Sequence, residues 1–118
     1  MLLFKKKFMD AIRSGRKTQT VRLWQFRKMK PGQRSYIPGA GYIQISAVDE
    51  VALGELTDDD AKLDGFDSAA ALRSEIELLY PKQLADGQKV FRVRFELLPP
   101  DVQERMKAEK KRSKEAAK

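Results

Sequence analysis

The chain of 118 residues has no cysteine and no histidine. The first absence removes disulfides, thiolate nucleophiles and cysteine zinc sites. The second removes Ser-His-Asp catalysis, imidazole acid–base chemistry and most transition-metal sites. No apolar run approaches the roughly 20 residues that cross a bilayer. Leu2-Leu3-Phe4 runs directly into Lys5-Lys6-Lys7, so these residues offer no apolar core for a secretory leader. A cytoplasmic protein with no membrane partner, no metal and no cofactor is therefore expected. What remains is the chemistry of Lys, Arg, Thr, Tyr and carboxylates, or binding without chemistry.

Hydrophobic residues make up 42% of the chain, enough for one small core in a single domain. The formal charge of +7 is unevenly laid out. Residues 1–34 carry eleven Lys/Arg against one acid, Asp10, whereas residues 46–79 carry ten acids against Lys62 and Arg73. A basic first third points to a polyanion such as nucleic acid. The plainer alternative is a solvated surface whose basic and acidic segments pair on folding.

Local patterns set out the elements. Leu2-Leu3-Phe4 reads as a short first strand or lead-in. Residues 5–14 read as a helix with Phe4, Phe8, Ala11 and Ile12 on one side, ended by Gly15. Thr18 to Trp24 is a strand by composition. Lys30-Pro31-Gly32-Gln33 is a turn, because proline fixes one dihedral and glycine accepts a positive φ. Ser35-Tyr36-Ile37 is a short strand, broken by Pro38-Gly39-Ala40-Gly41. A longer strand runs from Tyr42 to Val48 and can continue past a bulge to Leu53. Thr57 caps a helix, with Asp60 three residues on and acids in the first turn. Asp64-Gly65 ends that helix. Asp67 or Ser68 caps a second, with Ala69, Leu72, Ile76 and Leu79 at helical spacing, stopped by Pro81. Lys89 to Leu97 alternates as a half-buried strand. Residues 1–98 thus form the domain. Residues 99–118 are a basic tail, helical or disordered, with only Val102 and Met106 as an apolar pair. The order of elements predicts an α+β fold, a small and mostly antiparallel barrel or sheet with helices packed on one side.

Gly15-Arg16-Lys17-Thr18-Gln19-Thr20-Val21-Arg22 carries most of the functional information. It places three cations and two hydroxyls after a helix-ending glycine. On a strand, Thr18, Thr20 and Arg22 share one face, and Lys17 lies at the turn where its stem can swing to either side. Such a face can grip a phosphate or a planar carbonyl group, since arginine offers a bidentate fork and threonine a small donor–acceptor. The order of residues is not that of a Walker A loop. An exposed basic strand with solvated hydroxyls is the alternative. Trp24, flanked by Arg22 and Arg27, can stack a base or pack in the core.

The same octapeptide resembles the G-x-K-T-x-T-x-R signature of the ASCH (activating-signal-cointegrator homology) domain family. Phe8 and Ile12 resemble that family's lead helix, and Lys30-Pro31-Gly32 its K-x-G turn. Leu56 to Phe66 resembles its L-T-x-x-x-A-x-x-D-G-F stretch, and Leu72 to Tyr80-Pro81 its helix ending in Y-P. The resemblance spans roughly residues 2–98 and implies a PUA-like β-barrel with a cleft beside the signature strand. It implies RNA or a nucleoside as ligand, and with the residues read above the candidate binding set is Arg16, Lys17, Thr18, Thr20, Arg22 and Trp24. Some small members of the family are amidohydrolases on N4-acetylcytidine, which implies Lys17, Thr20 and Asp64 as candidate catalytic residues. Asp64 stands where those enzymes carry a glutamate, one methylene longer. Lys17 serves as base or nucleophile only if its pKa falls well below about 10.4. Partial burial, Arg16 and Arg22 act in that direction, and an ion pair with Asp64 acts against it.

Overall fold

The structure is a computed structural model that describes Leu2 and residues 4–116, with side chains through Arg112. The main elements are α1 (Met9–Arg13), β1 (Gln19–Trp24), β2 (Arg34–Ile37), β3 (Gly41–Val51), α2 (Asp58–Asp64), α3 (Ala69–Leu79), α4 (Pro81–Ala85), β4 (Lys89–Leu97) and α5 (Pro100–Ala116). Short 3₁₀ turns precede α1 and α2. The strands form one antiparallel sheet in the order β1-β4-β3-β2, curled into a half-barrel. The first strand in the chain therefore pairs with the last. The register shifts between Ile45 and Ala47, a bulge that lets the long β3 bend around the core.

The alternation read in the sequence divides the sheet into two faces. On one, Ile43, Ile45, Val48, Phe91, Val93 and Phe95 pack with Leu2, Ile12, Met29 and Ile37. On the other, Val21, Leu23 and Val90 pack with Leu56, Ala61, Leu72 and Ile76 from the α2–α3 side. Gly32 has the positive φ (+87°) that the Lys30–Gln33 turn requires, and Gln33 N donates to Lys30 O at 3.2 Å.

Two expectations with alternatives take one form each, and one helix is new. Leu2 and Phe4 are not in a strand, and Leu3 lies outside the described residues. Burial explains the apolar lead-in: Leu2 is inserted in the core, and the Phe4 ring sits 5.5 Å from that of Phe95. Pro81 follows the end of α3 but also opens α4, where its missing N–H costs nothing. The tail forms α5 through Ala116, and Ala117 and Lys118 lie outside the described residues. The helix is fastened by Gln103, whose side-chain oxygen accepts from Tyr42 N at 2.9 Å while its nitrogen donates to Tyr42 O at 2.8 Å. Among the described residues, no helix is long and apolar enough to cross a membrane.

Candidate functional site

The site forms where β1 leaves Gly15 and meets the end of α2. Gly15, at φ +79°, turns the chain out of α1 and points Lys17 inward. Thr57 and Asp60 cap α2 reciprocally: the Thr57 hydroxyl accepts from Asp60 N at 3.1 Å, and Asp60 Oδ2 accepts from Thr57 N at 3.0 Å. Gly65 closes the helix in the left-handed region at φ +95°. This fixes Asp64 on the last turn, facing β1. Backbone contacts lock the two segments together, with Thr18 N donating to Leu63 O at 2.9 Å.

Lys17 is 2% exposed, and its ammonium is fully engaged inside the protein. Nζ donates to Asp64 Oδ1 at 2.7 Å, to Gln19 O at 3.0 Å and, closely, to the Asp64 carbonyl. It also lies 4.6 Å from the centre of the Phe8 ring and 5.6 Å from that of Phe4. Burial pushes the Lys17 pKa down, with Asp64 opposing and Arg22 assisting. Burial pushes the Asp64 pKa up, with Lys17 opposing. Both shifts favour the neutral pair, because desolvation penalises each charge more than the partner restores. Asp64 Oδ2 is buried and, among the described residues, has no hydrogen-bond partner.

Beside this pair, Arg22 Nε donates to Thr20 Oγ1 at 3.1 Å. The threonine oxygen accepts, so its own proton remains available to another acceptor. The Arg22 guanidinium lies 4.9 Å from the centre of the Phe4 ring. Burial lowers the Arg22 pKa, with Tyr80 and Asp64 opposing.

Lys17, Thr20, Arg22 and Asp64 all line one cleft, walled by Phe4, Phe8, Phe66 and Tyr80 together with apolar residues of α3. Its open volume is about 90 Å³, well below the roughly 300–1,000 Å³ of a drug-sized site. It is sized for one flat group rather than an extended chain.

The other expected ligand residues lie elsewhere. Arg16 is exposed, donates through Nε to Ser14 Oγ at 3.0 Å, and opens onto a separate depression shared with Lys7, Asp10 and Asp67. Thr18 is committed through its backbone, its carbonyl accepting from Phe95 N at 2.9 Å. Trp24 is half-buried against Phe91, with ring centres 5.4 Å apart. The cleft also uses residues that the sequence did not single out for binding. Phe4 and Phe8 have ordinary helix-stripe spacing, and nothing in that spacing says that their rings cover a lysine. Among the described residues, no group of three or more carboxylates could hold a metal ion.

Searches for related proteins by sequence yield no matching family model and no matching curated protein. Solved structures do resemble it. An ASCH domain from Lactobacillus crispatus JV V101 superposes with a TM-score of 0.64 at 15% identity, covering 75% of this chain and 68% of that one. The hypothetical protein PH0355 gives 0.68 at 16% identity, covering 81% and 95%. Protein EF3133 from Enterococcus faecalis V583 gives 0.60 at 20% identity, covering 78% and 70%. The chain has an ASCH-like fold, a small α+β architecture of the PUA-like kind.

Proposed function

We propose that the protein binds RNA or a nucleotide by taking one base into the cleft beside β1. The observation that carries this reading is the pairing of aromatic walls with a buried polar floor. Phe4, Phe8, Phe66 and Tyr80 offer apolar surfaces to a flat ring, while Thr20, Arg22 and Asp64 offer polar atoms to its edge. The unpartnered Asp64 Oδ2 suits an exocyclic amine, and the Arg22 guanidinium suits a carbonyl or ring nitrogen. Lys17 spends its donors inside the protein and therefore acts on the ligand through its charge, not as a phosphate clamp. Titration of cytidine and of short RNA, followed by NMR shifts, tests the reading. Shifts should map to β1, α2 and Tyr80, and Arg22→Ala should weaken binding about tenfold or more, the loss of a charged hydrogen bond. Shifts confined to residues outside the cleft would refute it.

The buried Lys17–Asp64 contact beside the Thr20 hydroxyl supports a second reading, hydrolysis of an acylated nucleoside such as N4-acetylcytidine. Moving one proton along the 2.7 Å contact from Nζ to Asp64 Oδ1 leaves Lys17 as an amine. Thr20 Oγ then attacks the amide carbon while its proton passes to Lys17. Collapse of the tetrahedral adduct breaks the C–N bond, and the leaving amine takes that proton. Water attacks the acyl-threonine and gives one proton to Lys17, which passes it to the departing Thr20 oxygen, restoring the hydroxyl and releasing the carboxylic acid. Acetate release from N4-acetylcytidine, read by NMR, should vanish in Thr20→Val and Lys17→Met. Release that persists in Thr20→Val would exclude this path.

A further inference from the structure

The sheet has a second polar surface at its other edge, built by elements the cleft does not use. The register places Arg34, Tyr36, Tyr42 and Gln44 on one face of the β2–β3 ribbon, continuous with Arg94 and Glu96 on β4. This is the face that α2 and α3 cover at the β1 end and leave open at the β2 end. Tyr36 is 40% exposed, and its ring lies 4.9 Å from that of Tyr42 at a tilt of 54°.

Helix α5 borders this face. Its Lys107, Lys110 and Lys111 follow helical spacing and, with Tyr36 and Tyr42, line a groove of about 330 Å³. Lys110 Nζ lies 5.8 Å from the centre of the Tyr36 ring. The lysines do not sit on a loose arm, because the two bonds from Gln103 to Tyr42, with a third to Leu98 O at 3.1 Å, fasten the helix to the sheet. Gly41 is part of that fit: a side chain there would meet the Gln103 amide at 3.0 Å. Glu104 partners Lys107 at 3.8 Å across an exposed contact of the kind worth little in water.

An exposed tyrosine, backed by the buried ring of Tyr42 and bordered by a row of cations, matches the chemistry of an unstacked base beside a phosphate backbone. We propose that the face formed by Arg34, Tyr36 and Tyr42 with Lys107, Lys110 and Lys111 of α5 binds single-stranded RNA. A base stacks on Tyr36, and the lysines take the flanking phosphates. This surface and the cleft lie at opposite edges of the sheet, so the proposal stands whether or not the cleft binds a nucleoside.

Fluorescence anisotropy with a labelled oligouridylate of about 10 nucleotides, within the span such surfaces cover, tests it across a salt series. Wild type should bind with an affinity that falls as salt rises. Reversing Lys107, Lys110 and Lys111 to Glu should flatten the logarithmic salt slope by about 2, from three phosphate contacts at roughly 0.7 each. Tyr36→Ala should weaken binding about tenfold and Tyr36→Phe should restore it, because the ring rather than the hydroxyl does the stacking. Lys82→Ala, on α4 and outside both surfaces, should leave this affinity within about twofold. Thermal unfolding of each variant checks that the fold is kept. Absence of binding by wild type, a salt slope unchanged by the lysine reversals, or binding that depends on Arg22 and not on Tyr36 would each overturn the proposal. A duplex that binds as well as the single strand, with no dependence on Tyr36, would overturn it too.

Discussion

At Lys17 a positive charge is kept almost entirely out of water, against its own desolvation, by Asp64 and two carbonyls. Removing one partner strands the other. Lys17→Ala should therefore destabilise the protein by about 3–5 kcal/mol in urea unfolding, the usual effect of breaking a buried ion pair. Replacing both, as Lys17→Met with Asp64→Leu, should cost far less while abolishing whatever the cleft does, which separates stability from function. The pair also predicts a pH signature. Asp64 holds its proton more tightly when folded, so its contribution is present below the ordinary value of 3.8 and lost as pH rises through the raised folded value. Lys17 releases its proton more readily when folded, so stability recovers between the lowered folded value and 10.5. Subtracting the double variant's unfolding free energy from that of wild type across pH should give a curve that is lowest in the middle. Asp60 behaves oppositely. Burial raises its pKa, but Thr57 and Arg92 together pull it lower still, so Asp60→Asn should remove part of the stability lost on acidification below 3.8.

Helix α2 has only two turns, and its ends decide where Asp64 points. A Cβ on Gly65 would meet the Phe8 ring at 3.2 Å, on a backbone at φ +95° that L-residues avoid. Gly65→Ala should thus cost about 1–2 kcal/mol, and Thr57→Ala about 1 kcal/mol through the lost cap. Chemical denaturation measures both, and only the first should also disturb the Phe8–Lys17 contact. These ends were legible in the sequence because capping is local: Thr57, Asp60 and Gly65 act within a few residues of one another. The alternation of β4 was legible for the same reason. The contact of Lys17 with Asp64 was not readable from local spacing, because two elements distant in the chain must meet before the lysine stem has a direction. Phe4 and Phe8 looked like core positions because helical spacing cannot distinguish a ring packed on leucine from one covering an ammonium. The docking of α5 depends on one side chain, Gln103, in a segment with too few apolar residues to announce a partner. Gln103→Ala should raise amide hydrogen exchange at Tyr42, whose N–H it now holds.

Across the whole molecule, the sheet keeps its two polar surfaces apart. The cleft lies at the β1 edge and the tyrosine face at the β2 edge. Arg22→Ala and Tyr36→Ala should therefore add in stability to within about 0.5 kcal/mol, as expected of sites without shared partners. The same strand order governs assembly. Among the described residues, β4 is the one strand that pairs with β1, so Gln19 must wait for Arg94. On a ribosome, β1 emerges before α2, α3 and β4 and stays without its strand partner until β4 follows, with Val21 and Leu23 uncovered meanwhile. A nascent chain stalled before Lys89 should be cut readily by protease around residues 17–24, and one stalled past Leu97 and clear of the ribosome should resist. The strand that carries Thr20 and Arg22 is thus held in place only when β4 arrives, and a chain cut short of β4 cannot form the cleft.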